Sequence, residues 1–261
     1  MKAILIAAGM GRRLSPYTDD RPKCLVEVAG KPMIRHQIDN LRRVGVTDFV
    51  VIRGYLADRL TAELSGEPDV RFVDNFEYRQ NNILLSLMCA IDELSSGFFC
   101  SYGDIVYRPS VSDALGKTDK DLALVVDPFF AQVYEGRTDH PIEEAELAQV
   151  SEGKVVRVGK RAVPLQSAFG EFIGLWKASA RAGAMLAELF RKRLAELGLS
   201  APYGRAPKLQ VAYLTDLWND LLSLSPPASL PIHCVACPEP QSWREIDTVQ
   251  DLLRAREVVT F

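Results

Sequence analysis

A glycine loop with cationic side chains follows the first apolar run of the chain. The run ILIAA, residues 4–8, leads to Gly9 and Gly11, and Arg13 and Lys23 come within about one loop after them. Backbone N–H groups of such a loop can face phosphate oxygens. An arginine offers phosphate a planar fork of donors, and a lysine offers a compact positive charge. These residue types at this spacing indicate a site for a polyphosphate.

Two common phosphate-binding designs do not fit this loop. A dinucleotide-binding loop would have a small residue where Leu14 stands, and an acidic residue after the second strand, where the chain has Arg53 and Gly54. The string of a P-loop, GxxxxGK followed by Ser or Thr, occurs nowhere in the sequence. What remains is a loop of backbone N–H groups over which long cationic side chains close.

The stretch AAGMGRRLSPYTDDRPKCLVEVAGKPMI, residues 7–34, resembles the signature of nucleotidyltransferases that join a nucleoside triphosphate to a sugar phosphate or a small phospho-alcohol. The shared pattern is a glycine pair, Arg, Pro, Pro-Lys and then Gly-Lys-Pro. The resemblance implies that Arg13 and Lys23 are catalytic and stabilise the leaving pyrophosphate. The loop residues that it implies in nucleotide binding are Ala7, Ala8, Gly9 and Gly11.

Two aspartates match the places where this family holds magnesium. Asp104 follows a predicted strand in YGDIVY, and Asp247 precedes the last predicted helix in REIDTVQDL. Mg²⁺ takes hard oxygen ligands, usually one or two carboxylates together with substrate phosphates. Helix capping is the alternative role for Asp247. The resemblance implies Mg²⁺ as the cofactor, with Asp104 and Asp247 as its ligands.

Three further segments narrow the resemblance to the phosphocholine and 2-aminoethylphosphonate cytidylyltransferases. They are GYLADRL after the second predicted strand, NNILLSL after the third, and REIDTVQDLL near the end. This branch implies CTP as the donor, and amide groups can distinguish the 4-amino group of cytosine from the 4-oxygen of uracil. The alternative for the asparagines and the serine is to cap and decorate a helix start. The residues implied near the base and ribose are Gly54, Tyr55, Asn81, Asn82 and Ser86.

The acceptor pocket is expected after Asp127, because the first half of the chain is occupied with nucleotide. The resemblance places Lys160 against the acceptor's phosphate, and carboxylates on predicted strands could receive an ammonium group. Three aromatic residues could add cation–π contacts, with core packing as their alternative. Arg137 and His140, in GRTDH, would favour an additional anion. The carboxylates are Glu146 and Glu171, and the aromatic residues are Trp176, Tyr213 and Trp218.

The elements that must position these residues alternate between strands and helices. Apolar runs such as KAILIA and DFVVIR predict buried strands, PMIRHQIDNLRRVG predicts a helix from Pro32 to Gly45, and NNILLSLMCAIDEL predicts another helix. After Asp127 short strands surround a Glu-Gly turn, and a long helix follows. The fold class is α/β: a Rossmann-like mixed, mostly parallel central sheet flanked by helices, with a small mixed-strand acceptor-binding lobe.

Size and composition limit the organisation and the partners of the chain. Its 261 residues suffice for a single nucleotidyltransferase domain, with a nucleotide-binding half, 1–126, and an acceptor-binding half, 127–261, that carries the C-terminal segment of the metal site. A net charge of −3 gives no reason to expect nucleic-acid or membrane binding. No segment approaches the roughly 20 apolar residues of a membrane span. A cytoplasmic location is therefore expected.

Five cysteines predict reduced core thiols, although Cys234 and Cys237 have a spacing that redox and zinc sites also use. No catalytic part is assigned to His36, His140 or His233. The sequence as a whole predicts a Mg²⁺-dependent cytidylyltransferase that acts with CTP on a small phosphonate or phospho-alcohol: 2-aminoethylphosphonate, a hydroxyalkylphosphonate or phosphocholine. The alternatives are a sugar-1-phosphate nucleotidyltransferase and, in another class, a non-catalytic nucleotide-binding regulatory protein. A homodimer stays open.

Overall fold

A computed structural model describes residues 1–226 and 229–258 and contains a nine-stranded sheet. The strands are β1 Lys2–Ile6, β2 Glu27–Val28, β3 Lys31–Pro32, β4 Asp48–Arg53, β5 Val70–Asp74, β6 Phe98–Tyr102, β7 Ile105–Tyr107, β8 Leu122–Asp127, β9 Leu147–Ser151, β10 Lys154–Val158, β11 Gly170–Ala178, β12 Ile232–Ala236 and β13 Trp243–Glu245. The α-helices are α1 Met33–Arg43, α2 Ala57–Leu64, α3 Ile83–Met88, α4 Pro109–Lys117, α5 Phe130–Tyr134, α6 Ala180–Leu197, α7 Leu214–Ser223 and α8 Val249–Val258.

The central sheet is mixed, and its part nearest the chain start is parallel. The strands follow the order β5-β4-β1-β6-β11-β8-β12-β10-β9. Strands β5, β4, β1 and β6 are parallel neighbours, whereas β11 runs antiparallel between β6 and β8. Alternate residues of β1 enter two core clusters on opposite faces of the sheet, which is why this strand is apolar throughout. The predicted α/β fold class is confirmed.

The strands predicted for the small mixed-strand lobe extend the central sheet. Strands β9 and β10 form the predicted hairpin around Glu152 and Gly153. However, β10 pairs with β12 and β9 pairs with the start of β11, so both extend the central sheet. Their pairing covers backbone N–H and C=O groups that would otherwise form an open sheet edge. The acceptor half is therefore continuous with the main sheet.

The helix predicted for NNILLSLMCAIDEL is interrupted. Helix α3 ends at Met88, and a short 3₁₀ helix covers Ile91–Ser96. After α3 the backbone changes to bonds three residues apart: the Ala90 N–H donates to the Leu87 carbonyl oxygen, and the Glu93 N–H to that of Ala90. The prediction of one continuous α-helix is therefore wrong.

Two tryptophans lie in the core and do not reach a pocket. Trp176 and Trp218 are fully buried, and their ring centroids are 5.3 Å apart in an edge-to-face arrangement. Phe172 packs edge-to-face on Trp218. The cation–π role is therefore wrong for these two residues, because large aromatic surfaces are stabilised by burial in the sheet core.

The parallel strands bring the predicted loops to one edge of the sheet. The glycine loop follows β1, Gly54 follows β4 and Asp104 follows β6, and these strands are adjacent and parallel. Ligands of open α/β sheets bind outside the carboxyl ends of such strands. Among the described residues, no helix combines the length and the apolar character needed to cross a bilayer.

Candidate functional site

The glycine loop brings Lys23 close to the end of β1. Gly11 has φ +63°, and a Cβ at this position would lie 2.9 Å from the Lys23 Cβ atom. A residue with a side chain would therefore be strained and would push the lysine away. Gly103 lies equally close to β1, since a Cβ there would stand 2.6 Å from the Ile6 carbonyl oxygen. These glycines let three chain segments meet around one small space.

Lys23 bridges the two predicted metal-binding aspartates. Its Nζ atom donates to Asp104 Oδ2 at 2.6 Å and to Asp247 Oδ1, and its side chain is only 11% exposed. Arg13 donates to the other oxygen, Asp247 Oδ2, while its own side chain stays 54% exposed. Burial alone would lower the pKa of Lys23, but Asp104 and Asp247 raise it above its ordinary value. The lysine is therefore held in its charged form.

The C-terminal segment reaches Asp104 through a two-stranded sheet. Strand β13 pairs antiparallel with β7, and the Ile246 N–H donates to the Asp104 carbonyl oxygen at 2.9 Å. Asp251 accepts from the backbone N–H groups of Asp247 and Thr248 at the start of α8. Thr248 Oγ1 in turn accepts from the Asp251 N–H, so Thr248 caps this helix and the Asp247 carboxylate is free to bind Lys23 and Arg13. The capping alternative for Asp247 does not apply.

The pair of aspartates fits a divalent cation. Asp104 Oδ1 is buried without a hydrogen-bond partner, although Oδ2 is bound by Lys23. Burial would raise the pKa of Asp247, but Lys23, His140 and Arg13 lower it well below its usual range. Both carboxylates thus present oxygen ligands of the kind that Mg²⁺ takes. Mg²⁺ itself stays a prediction.

The nucleotide-binding residues predicted from the sequence divide into two groups. A cleft at the end of β1 is lined by Ala7, Ala8, Gly9, Asn81, Asn82 and Ser86, together with Lys23 and Asp104. Gly11, Gly54 and Tyr55 do not line it. A Cβ on Gly54 would meet Tyr78 at 2.9 Å, and the Tyr55 hydroxyl donates to the Thr18 carbonyl oxygen at 3.2 Å. These three residues shape the loops around the cleft.

An amide network lies at the far end of this cleft. Asn75 and Asn81 exchange two side-chain hydrogen bonds of 3.0 and 2.9 Å, and Asn75 also donates to Ser86 Oγ at 2.8 Å. Asn82 instead caps α3, with Oδ1 accepting from the Ile83 N–H. The capping alternative therefore holds for Asn82. Asn75, which is 1% exposed, was not singled out from the sequence, although its place at the end of β5 is a signal that could have found it.

A second cavity adjoins the first and contains the predicted acceptor residues. Asn82, Ile83, Tyr102 and Asp104 line both spaces. The residues that line the second cavity and not the first include Lys160, Glu146, Glu171, Tyr213, Trp243, Arg13 and Asp247. The two cavities therefore meet beside the cluster of Lys23, Asp104 and Asp247.

Two buried carboxyl groups give the second cavity its character. Burial raises the pKa of Glu146 to about 7, although Lys160 acts in the opposite direction. Burial and the neighbouring Glu245 raise the pKa of Glu171 to about 8. Glu171 Oε1 accepts from the Tyr134 hydroxyl at 2.7 Å, and Oε2 is buried with no hydrogen-bond partner. An unpartnered buried acceptor of this kind is costly unless a ligand supplies a donor.

Lys160 and Tyr213 stand at the rim of the same cavity. The Lys160 ammonium lies 5.2 Å from the centroid of the Tyr213 ring and 3.5 Å from Glu144 Oε2. Burial acts to lower the pKa of Lys160, but Tyr213 and Glu146 raise it overall. Lys160 therefore presents a positive charge opposite the carboxyl groups, and Tyr213 packs against that charge.

Arg137 and His140 lie outside the predicted arrangement. Arg137 is buried and donates to Asp251 Oδ1 at 2.7 Å and to Glu245 Oε2 at 2.9 Å, so its charge is already paired inside the protein. It does not line the second cavity. His140 Nδ1 lies 3.0 Å from Asp247 Oδ2. The sequence pattern assigned His140 to an anion of the acceptor and did not indicate Glu245, although the alternation of Glu245 and Asp247 in REID places both on one side of an extended chain.

Known proteins share the sequence features of this chain. The family described as MobA-like NTP transferase domain matches residues 3–158. The CTP:phosphoglutamine cytidylyltransferase of Campylobacter jejuni subsp. jejuni is 34% identical over 185 residues, which cover 69% of this chain and 73% of that relative. The 2-aminoethylphosphonate cytidylyltransferase of Lancefieldella rimae is 30% identical over 165 residues, which cover 60% of each chain. The alignment with the second relative thus spans less than two thirds of its length.

A solved structure supports the same fold over nearly the whole chain. The CTP:phosphocholine cytidylyltransferase from Streptococcus pneumoniae aligns with a TM-score of 0.71 and 23% sequence identity, covering 98% of this chain and 98% of that one. At this level of identity the match is a statement about the fold.

Proposed function

The chain belongs to the MobA-like NTP transferase domain family and is a nucleotidyltransferase, and from that premise we propose that it transfers CMP from CTP to a small phosphonate or phospho-alcohol with release of pyrophosphate. One observation carries the proposal. Two adjoining cavities, one with an amide network and the other with buried carboxyl groups, meet beside Lys23, Asp104 and Asp247. A donor and an acceptor bound in these cavities would have their phosphorus groups next to these three residues.

The reaction needs positioning and charge neutralisation. An oxygen of the acceptor's phosphonate or phosphate attacks the α-phosphorus of CTP and forms the new P–O bond. The bond from the α-phosphorus to its bridging oxygen breaks, and the electron pair leaves with pyrophosphate. Because the acceptor oxygen is already anionic near neutral pH, the protein needs no general base. Arg13 and Lys23 stabilise the negative charge that develops on the leaving group.

A divalent cation completes the charge balance in this proposal. Asp104 and Asp247 would hold Mg²⁺, which supplies a positive charge to the α-phosphate and the incoming oxygen when it is bound. The buried Asp104 Oδ1, which has no hydrogen-bond partner, supports this assignment. Arg13 can leave Asp247 for a phosphate because its side chain is half exposed.

The donor assignment is supported by the amide network. Cytosine offers a 4-amino donor and acceptor groups, whereas uracil offers a 4-oxygen in the same place. The side-chain amide of Asn81 lines the cleft and is fixed by two hydrogen bonds to Asn75. A fixed amide can discriminate between bases, because a polar group is left unpaired with the wrong base. The choice of CTP over UTP is supported by the relatives named above, which are cytidylyltransferases.

The acceptor assignment is supported by Glu171 and Lys160. Glu171 Oε2 has no partner, and a primary ammonium group can donate a hydrogen bond to it, whereas a trimethylammonium group cannot. Lys160 provides the charge for the phosphonate oxygens. Within the class we therefore propose an aminoalkyl phosphonate or phosphate, of which 2-aminoethylphosphonate is the test compound.

One comparison of acceptors tests the function. We would measure pyrophosphate release and kcat/KM with CTP and 2-aminoethylphosphonate, phosphocholine, a hydroxyalkylphosphonate or glucose 1-phosphate. We expect 2-aminoethylphosphonate to be preferred, and Glu171→Gln to reduce that preference by about tenfold, which corresponds to roughly 1.4 kcal/mol. Glu143→Gln, an exposed carboxylate nearby, is the control.

Three outcomes would contradict the proposal at different levels. A preference for glucose 1-phosphate would make the protein a sugar-1-phosphate nucleotidyltransferase. A hydroxyalkylphosphonate preference that Glu171→Gln leaves unchanged would remove only the ammonium role. Nucleotide binding without pyrophosphate release from any acceptor would favour the non-catalytic alternative.

A further inference from the structure

A second group of metal-ligating side chains lies on the other side of Asp247. His140, Glu245 and Asp247 each bring one ligand atom into a cluster whose atoms all lie within 4.8 Å of one another. His140 Nδ1 is 3.0 Å from Asp247 Oδ2 and 3.6 Å from Glu245 Oε2. Lys23 donates to the opposite oxygen, Asp247 Oδ1, and to Asp104. The cluster therefore shares Asp247 with the pair of aspartates described above but uses its other oxygen.

The histidine is the observation that sets this cluster apart from a group of acidic residues. His140 is 1% exposed, and its Nδ1 atom is buried without a hydrogen bond of acceptable geometry, despite its closeness to both carboxylates. The Nδ1 atom lies within ion-pair distance of both carboxylate oxygens but makes no well-aligned hydrogen bond with either, so the three atoms converge without a bond that fixes them. A cation placed between the three atoms would supply that bond.

The distances suit a cation with a nitrogen ligand. Two ligand atoms at about 2.1 Å from a metal and about 90–110° apart are separated by roughly 3.0–3.4 Å. The 3.0 Å separation from Nδ1 to Asp247 Oδ2 lies in that range, and the 3.6 Å separation to Glu245 Oε2 is slightly wider. Small side-chain rotations of the carboxylates would close the difference.

The neighbouring cations do not prevent this use. Arg137 already donates to Glu245 Oε2, and Arg13 donates to Asp247 Oδ2. A carboxylate oxygen has two lone pairs, so Glu245 can keep its hydrogen bond while binding a metal. Arg137 also bonds Asp251, which fixes the segment that carries His140. Arg13 is the group that would move, and its exposed side chain is free to do so.

We propose that His140, Glu245 and Asp247 bind a divalent transition-metal ion, separate from the Mg²⁺ proposed at Asp104 and Asp247. Imidazole nitrogen favours transition metals over Mg²⁺, which prefers oxygen ligands. The side chains come from the loop before Pro141, from the last residue of β13 and from the segment that follows it, so the ion would tie this loop to the catalytic segment. The site concerns metal binding alone and stands without any particular acceptor.

Mn²⁺ is the probe that tests the site without nucleotide. Full-length protein, free of any affinity tag and stripped with a chelator, would be titrated with Mn²⁺ by electron paramagnetic resonance. Electron spin-echo modulation would then report whether a ¹⁴N nucleus is bound. We expect wild-type protein to bind Mn²⁺ with a histidine ¹⁴N coupling, and about a tenfold excess of Mg²⁺ to leave that coupling in place.

Substitutions then show which histidine supplies the nitrogen ligand. His140→Asn should remove the ¹⁴N coupling and weaken Mn²⁺ binding by about tenfold or more. His233→Asn, a histidine on β12, is the matched control and should change neither. Glu245→Gln should weaken Mn²⁺ binding while keeping the coupling of the ion that remains bound. Asp104→Asn should keep the coupling, although the proposed function expects it to impair Mg²⁺-supported turnover.

The wild-type spectrum makes the result independent of how any variant folds. The proposal is overturned if wild-type protein binds no Mn²⁺ in the absence of nucleotide, or binds it without a ¹⁴N coupling. It is also overturned if the coupling survives His140→Asn, or if Mg²⁺ removes it. Failure of CTP turnover with intact ¹⁴N coupling would contradict the proposed function and leave this site standing.

Discussion

The two adjoining cavities are built in different ways. One wall of the nucleotide cleft is the backbone loop after β1, where glycines let chain segments come close, and side chains such as Asn81 and Ser86 form another. The acceptor cavity is walled by side chains from separate segments, including Glu146, Lys160 and Glu171. A backbone wall has a shape that few substitutions alter, whereas a side-chain wall changes its charge with each substitution and with pH. The first cavity therefore suits a fixed polyphosphate, and the second suits a variable acceptor.

The largest effect is expected at Lys23, beside which the two cavities meet. Lys23→Ala removes the charge that holds Asp104 and Asp247 together, and preorganised electrostatic groups of this kind contribute about 10²-fold or more to turnover. We expect kcat with CTP to fall by at least that factor. Lys192→Ala, which removes an exposed lysine paired with Glu196 on α6, is the control. Near-normal turnover of Lys23→Ala would show that the loop does not act on the leaving group.

A medium effect is expected at Asn81, whose side chain lines the nucleotide cleft. Asn81→Ala removes one of the two paired amides. The cleft then loses the fixed amide that we propose disfavours uracil. The preference for CTP over UTP, measured as the ratio of kcat/KM values, should fall by about tenfold. Gln80→Ala, at an exposed neighbouring position, should leave the ratio unchanged. An unaltered ratio in Asn81→Ala would place base recognition elsewhere in the cleft.

The smallest effect is expected in the pH dependence of stability, which depends on the buried carboxyl groups of the acceptor cavity when no ligand is bound. Burial raises the pKa of Glu146 to about 7 and that of Glu171 to about 8, above the ordinary value of 4.5. A raised carboxyl pKa means that the folded state binds the proton more tightly than the unfolded state. The contribution of these bound protons to the free energy of unfolding is fully present below about pH 4.5 and is lost as the pH rises through 7 and 8.

Urea unfolding at pH 5 and pH 8 measures this dependence. Between these pH values the free energy of unfolding should fall less in Glu171→Gln than in wild type, by about 1 kcal/mol or more. Glu143→Gln should show the wild-type dependence, because Glu143 is exposed. Equal slopes for wild type and Glu171→Gln would mean that Glu171 titrates as an ordinary surface carboxyl and that the contrast between the cavities is smaller than the burial indicates.

The sequence predicted the nucleotide cleft better than the acceptor cavity for the same physical reason. The loop residues all lie in one short stretch, from Ala7 to Lys23. The backbone geometry of this stretch depends on glycines that are visible in the sequence. In contrast, Arg137 was predicted to meet an acceptor and instead pairs with Asp251 and Glu245, which lie more than a hundred residues further along the chain. Residue type reveals that a charge must be compensated, but the partner depends on the fold.

Burial explains most of the other differences. Trp176 and Tyr213 both suit a cation–π contact, yet only Tyr213 reaches the cavity, because Trp176 lies on a strand in the middle of the sheet. Strands β7 and β13 are only three residues long and carry no clear periodicity of their own. The Lys23 bridge depends on their pairing, and so it could be predicted only through the family signature.

The pairing of β7 with β13 has a consequence for the order of events in folding. It joins Ile105 to Glu245, so the ends of a very long chain loop must meet before Asp247 can stand beside Asp104. Closing such a loop costs conformational entropy that local contacts do not recover, and contacts of this kind form late. Strand β1, which carries the glycine loop, pairs with β4 and β6, and both are closer to it along the chain than β13 is to β7. During refolding, a polyphosphate-binding surface would therefore arise before the molecule acquires turnover, and the interval between the two would report how fast the last strand finds its partner.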